Sequence, residues 1–176
     1  MSFRFETSRL TLRPWLADDL PWLMRMAGDA EMMRYITGGR TWSTENADEF
    51  LGRQARHMAN HGVCMGAANL RGSDEVIGII GMQPHDDGQF ELGWWVWKDH
   101  WGQGYAFEGI QPFIAHAHKE MGLTRLVAVI DPDNAASKRV AEKLGMRFEC
   151  IKSARETVAQ REDVPIAYYG MSIPST

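Results

Sequence analysis

The stretch Glu91-Leu92-Gly93-Trp94-Trp95-Val96-Trp97-Lys98-Asp99-His100-Trp101-Gly102-Gln103-Gly104-Tyr105-Ala106 decides how this chain is read. Its first half suits a strand. Its second half carries Gly102, Gly104 and the small Ala106 and runs straight into a helical stripe, Phe107, Ile110, Ile114, Ala117 and Met121, at spacings of 3, 4, 3 and 4. A helix is therefore predicted over 105–121, with Gly122 ending it. Glycines let backbone N–H groups turn inward, and a helix N-terminus adds unpaired donors and partial positive charge. Together they can hold a pyrophosphate with little help from cationic side chains. A tight strand-to-helix turn with no ligand would use the same residues. Two other phosphate sites do not fit. No Gly-Lys-Ser/Thr is present, and the glycines are not spaced Gly-x-Gly-x-x-Gly after a parallel strand, so ATP and NAD recede.

Upstream of this stretch, three short apolar runs, 63–70, 76–82 and 90–97, are divided by Arg71-Gly72-Ser73-Asp74 and His85-Asp86-Asp87-Gly88, the pattern of an antiparallel meander. Downstream, Leu126-Val127-Ala128-Val129-Ile130 reads as a buried central strand. A short helix over 134–144 follows, with Ala136, Val140 and Leu144 on one face, then strands at 148–151 and 166–173. At the N-terminal side Arg9-Leu10-Thr11-Leu12-Arg13 alternates as a half-buried strand. Asp18 is the expected N-cap of a helix ended by Gly28, and Ser43 or Thr44 starts another with Ala47, Leu51, Ala55 and Met58 facing inward. The order predicts an α+β fold, mostly antiparallel with one βαβ crossover, in a single domain over 1–176.

Composition bounds the function. The 176 residues carry 19 Lys+Arg and 23 Asp+Glu, a net charge of −4, with no basic block, which leaves no footprint for nucleic acid. No apolar run approaches the roughly 18 residues of a membrane span, and the N-terminus lacks the apolar core of a signal peptide, so a cytoplasmic protein without membrane association is expected. Cys64 and Cys150 stand apart without metal spacing, and buried thiols are expected. His57 and His61 share a helix face but lack the glutamate of a zincin, and His116 and His118 cannot share a face, so no metal is expected.

With these segments placed, the chain resembles the GNAT superfamily of acyl-CoA-dependent N-acyltransferases, and within it the RimJ/RimL-like branch. The residues that carry the resemblance are Thr7-Ser8-Arg9-Leu10-Thr11-Leu12-Arg13, Glu91-Leu92-Gly93-Trp94, the loop from Trp101 to Ala106, and Asp133-Asn134-Ala135-Ala136-Ser137 with Glu142-Lys143-Leu144-Gly145-Met146. They occur in the family's order along nearly the whole chain. Trp101 stands where the superfamily's Gln/Arg-x-x-Gly-x-Gly/Ala loop begins. The resemblance implies a twisted sheet splayed between its fourth and fifth strands, with acetyl-CoA as co-substrate lying in the splay. It implies that Trp94, Trp95 and Val96 pair with the pantetheine arm, that Gly102, Gln103, Gly104, Tyr105, Ala106 and Phe107 hold the pyrophosphate, and that Asn134 and Ser137 approach the arm and the thiol.

Acyl transfer to an amine needs a deprotonated nucleophile, donors for an oxyanion and a proton for the thiolate. Glu91 is the candidate base, directly or through water, although a carboxylate on an alternating strand also serves as a solvated face or ion-pair partner. A backbone N–H at a strand bulge near Trp95 or Val96 is the candidate oxyanion donor. The tyrosine that many relatives carry seven residues after the asparagine is Ala141 here, and the glutamate that some carry five residues before it is Val129. Ser137 is then the candidate for donating or orienting a water, with a helix-start role as the alternative; Tyr168 and Tyr169 are further candidates. His100 adjoins the loop. The expected reaction is acetylation of a primary amine by direct attack. The acceptor is either a protein N-terminus or a small molecule such as a polyamine, amino acid or aminoglycoside, read by 28–42 and by Ser153 to Asp163. A noncatalytic acyl-CoA sensor is the alternative from another class. Exposed sheet edges allow a homodimer.

Overall fold

The computed structural model describes residues 3–153 and 164–173. They form an eight-stranded sheet in the order β1-β2-β3-β4-β5-β6-β8-β7. In chain order the elements are β1 (Phe5–Glu6), β2 (Leu10–Arg13), α1 (Leu20–Ala27), α2 (Arg34–Thr37), α3 (Thr44–His61), β3 (Met65–Leu70), β4 (Val76–Pro84) and β5 (Phe90–Val96). They continue with α4 (Tyr105–Lys119), β6 (Arg125–Ile130), α5 (Ala135–Lys143), β7 (Arg147–Ser153) and β8 (Pro165–Ser172). Neighbours pair antiparallel except β5 and β6, which are parallel because α4 carries the chain back across the sheet between them. The α+β reading holds. The splayed strands are fifth and sixth, since Phe5–Glu6 adds a two-residue edge strand that is too short to show periodicity. None of the described helices is long and apolar enough to cross a membrane.

Each sheet face buries its own cluster. On one side α4 lays Ile110, Phe113 and Ala117 against Leu10, Leu12, Ile80, Leu92, Leu126 and Ala128. On the other, Leu23 and Met26 of α1 and Ala47 and Phe50 of α3 pack on Met65, Ala67 and Ile79. Burying each leucine- or phenylalanine-sized side chain contributes about 1.5–3 kcal/mol. Gly109 sets the approach of α4, since a Cβ there would lie 2.8 Å from Ile80 Cδ1. Two helical stripes are rotated from their expected positions. α3 buries Ala47, Phe50 and Gln54 and exposes Ala55, because the Phe50 ring fills more space than the Leu51–Ala55 row. α4 buries Tyr105, Gly109, Ile110, Phe113 and Ala117, leaving Phe107 partly open.

At the first helix Asp18 is not the N-cap. Asp19 precedes Leu20, and its carboxylate accepts from Arg13 at 2.6 and 2.9 Å and from the Leu16 N–H at 2.7 Å. Ser43 does cap α3, exchanging bonds with Asn46 as a capping box.

Glu108, in the first turn of α4, ties the start of β2 to this helix. It accepts from Thr7 Oγ1 at 2.6 Å, Ser8 Oγ at 3.0 Å, the Arg9 N–H at 2.8 Å and Arg9 Nε at 2.7 Å. Burial alone would raise its pKa, but these donors bring it from 4.5 down to about 2. A carboxylate with a depressed folded pKa contributes its full stability above pH 4.5 and loses it as pH falls through about 2. Glu108→Gln should therefore lower stability at pH 7 by roughly 2 kcal/mol, with the gap to wild type narrowing below pH 4.5. Urea unfolding at neutral and acidic pH checks this; a gap of constant size at every pH would contradict it.

Candidate active site

β4 and β5 run in continuous antiparallel register from Gly78 and Val96 to Pro84 and Phe90, and β6 pairs with β8 over six residues. Between these two ladders β5 and β6 share one registered pair, Glu91 with Val127. Beyond it the strands diverge, and a cavity of about 870 Å³ opens between them, lined by residues 91–96 of β5 and 128–130 of β6. Its size lies in the upper part of the range for small-molecule sites.

No register shift interrupts β4–β5, so the bulge expected near Trp95 or Val96 is absent. The free donors arise another way. The Trp97 N–H donates to the Ile77 carbonyl at 2.7 Å on the β4 side. Alternation then turns the N–H groups of Trp94 and Val96 toward β6, where no strand meets them. Trp101 Nε1 donates to the Val96 carbonyl at 2.6 Å, which folds the loop back over the end of β5.

The loop enters α4 through Gly102 at φ 74° and Gly104 at φ 81°, both left-handed, a conformation side chains resist. Gly102, Gly104, Tyr105, Ala106 and Phe107 all line the cavity. Gln103 does not: its Nε2 donates to the Asp99 carbonyl at 3.3 Å and its own carbonyl accepts from Arg9 at 3.0 Å. Arg9 is itself bound to Glu108 and lies over the Tyr105 ring at 4.4 Å. His100 packs edge-on against Tyr105, and Arg139 and Lys143 of α5 also line the cavity near this end.

Glu91 is half-buried at the closed end of the splay. Its Oε2 accepts from Gln83 Nε2 at 3.1 Å. Trp94 packs toward the α4 core and Trp95 toward Phe50 and Trp42, so the strand divides its tryptophans between faces as alternation requires. On the opposite wall, Asn134 caps α5, its Oδ1 accepting the Ser137 N–H at 3.0 Å, and both residues line the cavity. Ala141 is fully buried beneath α5. Tyr168 and Tyr169 are both buried and absent from the lining. The Tyr168 hydroxyl is committed to Asp87, and Tyr169 packs edge-on against Phe148.

The remaining cavity wall lies under α2 and α3. The segment 28–42 contributes Tyr35, Arg40 and Trp42 to this wall. Residues 154–163, the second segment expected to read the acceptor, lie outside the described residues. α3 contributes Asn46, Glu49, Phe50 and Arg53, which the sequence reading missed. Their signal was the i, i+4 Glu49–Arg53 spacing beside a buried ring, a pattern equally suited to a solvated face. Burial holds the Arg53 pKa below its ordinary value, with Glu49 and Glu91 opposing that shift.

Other clusters stay outside the cleft. His57, half-buried, and His61, against Phe90, are not part of a metal-binding group, and none occurs among the described residues. Burial pushes the Cys64 thiol up to about 12, so it is neutral at physiological pH and unfit as a nucleophile. A thiol reagent should modify the partly exposed Cys150 in native protein and reach Cys64 only after unfolding. Mass spectrometry of labelled peptides checks this; native labelling of Cys64 would contradict it.

Comparison with known proteins agrees with the geometry. The acetyltransferase (GNAT) domain family matches residues 9–147. The chain is 30% identical over 156 residues to the N-acetyltransferase YnaD of Bacillus subtilis (strain 168), itself described as uncharacterized, covering 85% of this chain and 89% of that one. It is 33% identical over 84 residues to a ribosomal-protein-serine acetyltransferase of Escherichia coli (strain K12), covering 46% of this chain and 47% of that one. The crystal structure of an acetyltransferase from Agrobacterium tumefaciens str. C58 superposes with a TM-score of 0.79 at 25% identity, covering 96% of this chain and 94% of that one.

Proposed function

The chain belongs to the GNAT acetyltransferase family, and on that premise we propose that it moves an acetyl group from acetyl-CoA to the N-terminal amine of a protein, by direct attack with both substrates bound. The observation that carries this reading is the parting of β5 from β6 after the Glu91–Val127 pair. It leaves a cleft continuous from the start of α4 to a carboxylate.

The residues present fit such a donor. The outward N–H groups of Trp94 and Val96 offer an extended amide-bearing arm the partners a neighbouring strand would give. Loop N–H groups of Gly102 and of Gly104 to Phe107 would hold a diphosphate at the positive end of α4, whereas Gln103, its side chain occupied by the Asp99 carbonyl, stands outside the cavity. Asn134 spends its Oδ1 on the helix cap and keeps its amide N–H groups for the arm. Bound there, acetyl-CoA supplies a thioester as activated acyl donor.

Glu91 then takes the proton that the acceptor must lose. An α-amino group, with a pKa of about 8, presents more neutral amine than a lysine at about 10.4, which favours an N-terminus as acceptor. The Trp94 N–H, the outward donor nearer Glu91 and held by the β4–β5 ladder, would polarise the acyl carbonyl without reorganisation, which leaves the Val96 N–H to the arm. With Ala141 in place of a tyrosine, the proton for the departing thiolate comes through Ser137 or a water that it orients. Similarity to the Escherichia coli enzyme supports a protein acceptor. The aromatic wall of Trp42, Phe50 and Trp95 keeps a small hydrophobic amine as the second reading.

Two variants test this proposal. Glu91→Gln should lower kcat by about 10²–10³-fold with the KM for acetyl-CoA nearly unchanged; preserved turnover across pH would remove Glu91 as base. Gly104→Asp forces a left-handed side chain and a negative charge into the loop. It should abolish acetyl-CoA binding by calorimetry, and undiminished affinity in the folded variant would refute the loop assignment. Thiol release measured over peptides and small amines identifies the acceptor class.

A further inference from the structure

Gln54 is a fully buried polar residue of α3, 1% exposed, and it does not line the cleft. Its Oε1 accepts the backbone N–H of Met65, at the start of β3, at 2.9 Å. Its Nε2 donates to Gln83 Oε1 at 3.1 Å, and Gln83 Nε2 donates to Glu91 Oε2 at 3.1 Å. Gln83 is the cross-strand partner of Glu91 in β4–β5.

This chain has one polarity. A backbone N–H can only donate, so the oxygen of Gln54 must face Met65 and its NH₂ must face Gln83. The oxygen of Gln83 is thereby fixed toward Gln54 and its NH₂ toward Glu91. Reversing either amide would set oxygen against oxygen, or NH₂ against N–H, inside the fold.

We propose that Gln54 and Gln83 are positioning residues for the acetyl transfer: a two-amide relay, oriented by the Met65 N–H, that always presents a donor to one oxygen of Glu91 and so holds the carboxylate ionised and aimed into the cleft. The inference deepens the assignment of Glu91 as base and rests on it for its catalytic meaning. Charged groups that share this part of the molecule are Arg53 and Glu49 of α3, with Arg40 ahead of α3. β6 places Val127 opposite Glu91, and the ionisable groups His85, Asp87, Lys152 and Tyr168 bond one another at the neighbouring turn and strands, with His85 Nε2 buried and without a partner among the described residues. Arg53 also acts on Glu91 through its charge, and the relay adds a directed hydrogen bond from Gln83.

The test uses protein carrying carboxyl-¹³C glutamate, with the Glu91 signal identified by its loss in Glu91→Gln and followed through a pH titration. Gln83→Met removes the donor and should raise the Glu91 midpoint by about half to one pH unit, because a donor to the charged form favours it. Gln54→Glu touches Glu91 nowhere and, above the pH at which its carboxyl ionises, carries acceptors only. Gln83 must then turn its amide round and point its oxygen at Glu91, again raising the midpoint. On the Gln83→Met background the same change should add only the smaller rise that its negative charge produces. An unmoved midpoint in Gln83→Met, or a full Gln54→Glu shift without Gln83, overturns the relay. Should Gln54→Glu fail to fold by circular dichroism, Gln54→Met replaces it; it frees the Gln83 amide to adopt both orientations and should give a smaller rise, also lost on the Gln83→Met background. Turnover of Glu91→Gln separates the two ideas: if it survives, the base assignment falls while the midpoints still decide the relay.

Discussion

The pairing of Glu91 with Val127 is where one sheet becomes two. On one side β5 is held to β4 through seven registered residues, and on the other β6 is held to β8 through six, so each strand's position is fixed by its antiparallel neighbour. The parallel contact between them is limited to a single pair. The Trp94 and Val96 N–H groups beyond it are left without a partner among the described strands, a cost tolerated where they face a cleft open to water or a ligand. The chain's chemistry is concentrated at that opening. The Trp94 and Val96 N–H groups line one wall, Asn134 and Ser137 the other, and Glu91 sits at the vertex.

Rigidity around the opening comes from both faces of the sheet. The α4 core fastens the phosphate-side helix to β2 and β4, Gly109 permits the close approach, and Glu108 binds the β2 entry to the first turn of that helix. The α1–α3 cluster carries the opposite wall, where Phe50, Trp42 and Trp95 meet ring to ring. A cleft framed by two independently packed layers can keep the outward N–H groups and the Glu91 carboxylate in fixed relation, the requirement for electrostatic stabilisation without reorganisation.

The proposed acid–base arrangement does without the tyrosine that the family resemblance leads one to expect at position 141. Ala141 is fully buried and its side chain ends at Cβ, so this position supplies no acid. Tyr168 is unavailable as an acid for a different reason. Its hydroxyl serves Asp87, and burial together with that carboxylate raises its pKa. Asp87, desolvated yet bonded by Tyr168, the Gln89 N–H and His85, stays ionised with a pKa of about 2. This cluster stabilises the β4–β5 turn against β8 rather than serving the cleft.

The sequence by itself determined the α+β order, the meander, the loop into α4, and the run of residues that resembles an acyltransferase, because these rest on local spacing: glycines at a turn, apolar residues at helical or alternating intervals. It missed the facing of α3 and α4 by a fraction of a turn, because the larger ring of Phe50 and the close packing at Gly109 choose the buried side. The expected strand bulge was wrong: the free N–H groups come from a missing neighbour, not from a local irregularity. Only the tertiary structure brought Glu49, Phe50 and Arg53 to the cavity wall and joined Gln54, Gln83 and Glu91 across three elements. Hydrogen bonds between residues far apart in the chain have no periodicity to betray them, and they exist only once α3 has settled on the sheet.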